Sequence, residues 1–189
     1  YGLTATFMSK PFSQEVGSGL HIHLSLLNGK GENIFSCDSG APPPATSQNL
    51  KYAIAGLQAS MAQSMAIFAP NANSYRRFVP GAYAPVNTAW GYNHRAVSLR
   101  IPPSNHRNTR IEHRSAGADA NPYLVMSAVL AGIHHGIINE LPADEMVHAG
   151  EIYDPEMGDL PCTWDEAIIS LEKNTILKKY DGRFKDIFQ

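Results

Sequence analysis

The chain has 189 residues, enough for one domain with its own core or for part of a larger one. Fifteen Lys and Arg against 17 Asp and Glu leave a formal charge of −2, which argues against a generic nucleic-acid or anionic-membrane surface. Two distant cysteines, Cys37 and Cys162, make neither a disulfide framework nor a zinc motif and fit a reducing, cytoplasmic setting, and no apolar run reaches membrane-spanning length.

The sequence opens on Tyr1-Gly2-Leu3-Thr4 without a methionine, and residues 3–8 alternate weakly, as a strand within a longer protein would. Gly17-Ser18-Gly19 introduces a predicted strand from Leu20 to Leu26, and the turn signal Asn28-Gly29-Lys30-Gly31 leads to a second short strand at Asn33–Phe35. The Pro-rich run 39–44 is a loop. From Ser47 the period lengthens: Leu50, Ile54, Leu57, Met61, Met65 and Phe68 recur at three or four residues, which predicts an amphipathic helix capped by Ser47 and stopped by Pro70. Its methionines read as core packing.

Residues 70–88, rich in Asn, Pro and Gly, read as an extended functional loop. Strands are predicted at 97–101 and 109–114. A helix follows to about Glu140, with Pro122 in its first turn and either Asp119 or Asn121 as its cap. Thr163-Trp164-Asp165-Glu166 is a capping box that opens a last helix, and the tail bearing Lys178, Lys179 and Arg183 reads as solvated helical surface.

The chemistry concentrates at Arg110-Ile111-Glu112-His113-Arg114, where strand geometry puts Arg110, Glu112 and Arg114 on one face. A cation, an anion and a cation in line suit either a site for metal and anionic groups or an exposed face laced with ion pairs. Arg76, Arg77, Arg95, Arg100 and Arg107 lie close by in sequence. They fit a small polyanionic ligand, a basic surface patch or loop-anchoring salt bridges equally. His21 and His23 share a strand face, as metal or phosphate ligands or as hydrogen-bonded, half-buried histidines. Glu112, the sole carboxylate between Asp38 and Asp119, is expected to stay ionised among arginines, which suits a Mg²⁺ ligand better than a general acid. There is no Walker loop, Cys-x-x-Cys or nucleophile elbow.

In combination, Phe7-Met-Ser-Lys-Pro11, Gly17-Ser-Gly-Leu-His-Ile-His23, Asn73-Ser-Tyr-Arg-Arg77 with Val79-Pro-Gly81, and Ala84-Pro-Val-Asn87 form an ordered series of motifs. It continues with Arg95-Ala-Val-Ser-Leu-Arg-Ile-Pro102, Arg110-Ile-Glu-His-Arg114 and Ala118-Asp-Ala-Asn-Pro-Tyr123. The series resembles the C-terminal part of the glutamine synthetase catalytic domain across roughly residues 3–140, and a series is specific where single motifs are not. The resemblance implies that residues 1–189 are the C-terminal part of such a domain, without its N-terminal β-grasp domain and upstream metal-binding glutamates. It also implies an α+β fold in which an antiparallel sheet lines the active-site cleft with helices packed behind.

The implied activity is ATP-dependent ligation of glutamate to an amine through a γ-glutamyl phosphate, with Mg²⁺ or Mn²⁺, in a homo-oligomeric ring. By motif position, His21 and Glu112 resemble metal ligands, and His23, Ser25, Arg95, Arg100 and Arg107 resemble nucleotide contacts. Gly17, Arg77, Tyr83 and Arg114 match substrate positions, with Arg95 and Arg114 serving the transfer itself. Two departures favour γ-glutamylpolyamine or γ-glutamylamide synthetases over the ammonia-using branch: Tyr83 replaces the glutamate of the Pro-Gly-x-x-Ala-Pro loop, and Val16 replaces an asparagine. The Asn-Leu-Tyr-Asp-Leu-Pro segment of some bacterial enzymes is also absent, and Glu151-Ile-Tyr-Asp154 is a poor substitute for it. The rival readings are a true glutamine synthetase and a non-catalytic fragment or scaffold.

Overall fold

The computed structural model describes residues 1–37, 46–79, 84–148 and 160–180. Four short strands, β1 (Ile22–Leu24), β2 (Trp90–Tyr92), β3 (Leu99–Ile101) and β4 (Ile111–His113), form one sheet in the order β1-β4-β3-β2. β1 and β3 flank β4 antiparallel, whereas β2 runs parallel to β3. The sheet is therefore mixed, which corrects the expected antiparallel one.

β2 escaped sequence reading because Trp-Gly-Tyr carries no alternation. Residues 93–98 carry the chain back to begin β3 beside Trp90 in the same direction, with Asn93 at a positive φ of 50°, a conformation asparagine tolerates better than most residues. Residues 3–8 form no strand and lie exposed throughout, and the strand expected at 20–26 is regular only over Ile22–Leu24. The hairpin beyond it survives as a bridge between Leu27 and Asn33.

Helix α1 (Gln48–Met61) starts where the Ser47 side chain accepts from the Leu50 amide. It passes through a 3-10 turn into α2 (Met65–Phe68), so the expected single helix is interrupted before Pro70. Asn121, not Asp119, caps α3 (Pro122–Ile138), with Pro122 in the first turn. Thr163 and Glu166 close the capping box of α4 (Trp164–Glu172). In α5 (Ile176–Tyr180) the lysines are exposed, but Ile176 and Leu177 are buried, so this tail is more than solvated surface.

The core is continuous from the sheet to the helices: Leu24, Leu99, Ile101 and Ile111 pack with Leu50, Ile54, Leu57, Val125 and Val129. α1 and α3 approach through glycines. A Cβ on Gly136 would strike the Tyr52 carbonyl and come within 2.7 Å of the Gly56 nitrogen, so only glycine admits that crossing. The helices cover one sheet face and leave the other to the polar residues.

Candidate functional site

Sheet register assembles the site. On β4, Ile111 and His113 face the core, where the His113 ring lies 4.6 Å from that of Phe68. Glu112 must then face the opposite way. Pairing sets His23 of β1 and Arg100 of β3 opposite Glu112 on either side. Burial, and after it the charge of His21, pushes the His113 imidazole down to about 3; with no hydrogen-bond partner among the described residues, it stays neutral and acts as a core ring.

Glu112 is the hub. One carboxylate oxygen accepts from Arg100 Nη1 at 2.7 Å, and the other accepts from Arg114 Nη1 at 3.0 Å, with His21 Nδ1 at 3.1 Å and His23 Nε2 at 3.8 Å. Its side chain is 4 % exposed. Burial alone would raise its pKa, but the Arg100 hydrogen bond and the charges of Arg114, Arg100 and His21 outweigh that and hold it below the usual carboxylate range. Burial first, and then Arg114, lower the His21 pKa against the opposing pull of Glu112, leaving a half-exposed imidazole biased toward its neutral, ligating form.

Beside the hub lies a cleft of ≈ 470 Å³ walled by Lys10, Gly17, Gly19, His21, Arg77 and Arg114, with Val16 and Ala84 adding apolar surface. Arg77 is 5 % exposed and donates to the Ser18 and Ser115 carbonyls, each at 3.0 Å. Arg114 gives its other terminal nitrogen to the Arg95 carbonyl at 3.1 Å. The Nε atoms of Arg77, Arg100 and Arg114 are buried without a hydrogen-bond partner among the described residues. A Cβ on Gly17 would come within 2.8 Å of Arg77 Cγ and of the Ser9 carbonyl, so this backbone lies against Arg77 only because residue 17 is glycine. Two buried guanidiniums and a strip of bare backbone make a receptor for a small anion with polar arms.

The other expected site residues are spread around this centre. Arg100 Nη2 donates to Asn93 Oδ1 at 3.0 Å, which fixes its side chain between Asn93 and Glu112. Arg110 turns away from Glu112, donating to His23 Nδ1 at 3.2 Å and to the Asn108 carbonyl. Ser25 Oγ donates to the Thr109 carbonyl. Arg95 is exposed and enters through its backbone. Arg107 does not join the hub: it lines a second cleft of ≈ 1120 Å³ with Asn28, Asn33, Asn105 and His106, beside the 27–33 hairpin. Tyr83 and Glu151–Asp154 lie outside the described residues.

Sequence reasoning gave no role to Ser9, Lys10, Asn71, Asn73, Ser74 or Asn93, and offered Asp119 only as a helix cap. Most of them sit inside the quoted motifs, and their motif membership was the only available signal. Among the described residues no three His, Cys, Asp or Glu side chains are grouped to hold a metal ion. His21 Nδ1 and Glu112 Oε1, 3.1 Å apart, match the spacing of about 3 Å between neighbouring ligands of an octahedral ion. The residues present therefore fit two positions of such a shell. No helix among the described residues is long and apolar enough to cross a membrane.

The family model for "Glutamine synthetase, catalytic domain" matches residues 1–188. Gamma-glutamylputrescine synthetase PuuA of Escherichia coli (strain K12) is 47 % identical over 185 residues, covering 97 % of this chain and 38 % of that protein. Gamma-glutamylethanolamide synthetase GlnA4 of Streptomyces coelicolor is 34 % identical, over 96 % of this chain and 37 % of its own length. A glutamine synthetase of Thermotoga maritima is also 34 % identical, over 94 % of this chain and 41 % of its own length. The chain thus spans about two-fifths of the length of these relatives.

Proposed function

Because the chain belongs to the glutamine synthetase catalytic-domain family, we propose that the protein carrying it joins the γ-carboxyl of glutamate to an organic amine at the expense of ATP, with this chain as the C-terminal part of the catalytic domain. The observation that carries the reading is the cleft in which buried Arg77 and Arg114 meet the 17–19 backbone beside the Glu112 hub.

Arg77 receives the α-carboxylate of glutamate, while Gly17 lets the substrate lie against the backbone. Arg114 faces the γ-group as it becomes an acyl phosphate; a guanidinium fixed by Glu112 and the Arg95 carbonyl stabilises that charge without reorganising. The γ-carboxylate oxygen attacks the terminal phosphorus of ATP and ADP departs. The amine then attacks the acyl carbon, and phosphate leaves with the former carboxylate oxygen. Arg95 neutralises the transferring phosphoryl group, and His23, Ser25, Arg100 and Arg107 hold the nucleotide. His21 and Glu112 supply two ligands for Mg²⁺ or Mn²⁺, which when bound offsets the phosphate charge. With Arg100 and Arg114 already against Glu112, a dication needs the anionic phosphates, and further carboxylates from outside this chain, to bind stably.

An organic amine is favoured over ammonia by Tyr83, which brings no negative charge to a small cation, and by Val16, an apolar wall of the cleft. The names of the 47 % and one of the 34 % identical relatives denote amide-forming synthetases of this kind. The full assembly is a ring of copies with sites between subunits. Phosphate release by the full-length protein, with ATP, Mg²⁺ and glutamate and with ammonium, ethanolamine or putrescine in turn, is the test. Release that requires an organic amine is the expected result; release driven best by ammonium makes it a glutamine synthetase, and silence with every amine makes it a scaffold.

A further inference from the structure

Asp119 is the carboxylate of the Ala118–Tyr123 motif that the helix did not use as its cap. One of its oxygens accepts from Ser9 Oγ; the other accepts from Ser74 Oγ at 2.6 Å and Asn71 Nδ2 at 3.1 Å. These three donors come from both walls of the cleft. Ser9 adjoins the 10–19 wall, where its carbonyl accepts from the Ser18 amide at 2.8 Å. Ser74 opens the 3-10 turn Ser74–Arg77, so the residue that grips Asp119 is three positions before the arginine in the cleft. Asn73 adds a parallel clasp, exchanging two hydrogen bonds of 2.8 and 3.0 Å with the Lys10 backbone. Gly117 leaves the room: a Cβ there would strike Asp119 and come within 2.8 Å of Ser9 Oγ and 3.3 Å of Arg77 Nη2.

Asp119 forms no ion pair with Arg77; burial lowers the pKa of that guanidinium, and the charge of Asp119 opposes the shift. The ion pairs beside the cleft, with Arg100, Arg114, His21 and His23, belong to Glu112. A carboxylate in direct, bidentate contact with Arg77 would occupy the donors a substrate needs. Held off by two hydroxyls and an amide, it offsets the charge and leaves unclaimed the second hydrogens of Nη1 and Nη2, beyond those given to the Ser18 and Ser115 carbonyls.

We propose that Asp119 is the positioning residue for Arg77, a standoff counter-ion that bolts the two walls of the cleft together and sets the place at which a substrate carboxylate is received. This rests on the reading of Arg77 as the carboxylate receptor. The test measures glutamate and ATP dissociation constants of the full-length protein by titration calorimetry, for Asp119→Ala, Asp119→Asn, Ser74→Ala and Arg77→Ala.

Asp119→Ala, which leaves the three donors unpaired, is expected to weaken glutamate binding about tenfold or more while ATP binding is unchanged. The near-isosteric Asp119→Asn recovers part of the loss, and Ser74→Ala shows a smaller shift in the same direction. Glutamate affinity unchanged in both Asp119→Asn and Ser74→Ala overturns the proposal even where Asp119→Ala fails to fold, as does an equal loss of glutamate and ATP affinity. Unchanged glutamate binding in Arg77→Ala removes the receptor reading and this proposal with it. Weakened binding there, with Asp119 and Ser74 variants at wild-type affinity, removes only the role of Asp119.

Discussion

On the proposed reading, Glu112 serves as both ion-pair partner and metal ligand, and the two pull its environment in different directions. As an ion-pair partner it must be enclosed by Arg100 and Arg114; as a ligand it must keep lone pairs toward His21 and the solvent-facing side of the sheet. Glu112→Ala therefore costs more than activity, because it leaves two largely buried guanidiniums without their anion. Denaturant unfolding should show a loss of about 3–5 kcal/mol, the usual cost of breaking a buried pair from one side. The pH dependence has a fixed sign. A carboxyl whose folded pKa lies below its unfolded value contributes stability above the unfolded pKa and loses it as pH falls through the folded one. Wild-type protein should thus lose stability in that acid window, and Glu112→Gln should be less stable above it and flatter through it.

At the scale of elements, the α1–α3 crossing carries more stability than any capping residue. Gly136→Ala forces a methyl group against the Tyr52 carbonyl and should cost about 1–3 kcal/mol by overpacking, whereas Thr163→Ala at the α4 cap should cost about 1 kcal/mol. Unfolding midpoints of the two variants check the order. α1 was legible from its Ser47 cap and the 3.6-residue period of Leu50 and Ile54, and α4 from the Thr163–Glu166 capping box. β4 was legible because alternation sorted Ile111 and His113 from Glu112 and Arg114. β2 was not, because Trp90-Gly91-Tyr92 becomes a strand only through its parallel pairing with β3. The Asp119 network was invisible for a similar reason. Its members lie up to 110 positions apart, and hydroxyls and amides show no period that marks them as partners.

For the whole molecule, one sheet separates two tasks. Its apolar face joins the helices in a continuous core, and its polar face gathers Glu112, His21, Arg100 and Arg114, with Arg77 delivered from the 74–77 turn. The arginines that might have been a surface patch divide into buried members at the cleft, Arg77 and Arg114, and exposed ones such as Arg95 and Arg107. That division, and not charge density, is what marks an anion site, since composition holds no information about burial. On the proposed reading, the glutamate γ-carboxylate is phosphorylated at this face. The direct measurement follows ¹⁸O from the γ-carboxyl of labelled glutamate during turnover of the full-length protein with ATP, Mg²⁺ and its accepted amine. One labelled oxygen in the phosphate released per amide formed is the predicted result; unlabelled phosphate, or no phosphate at all, would contradict it.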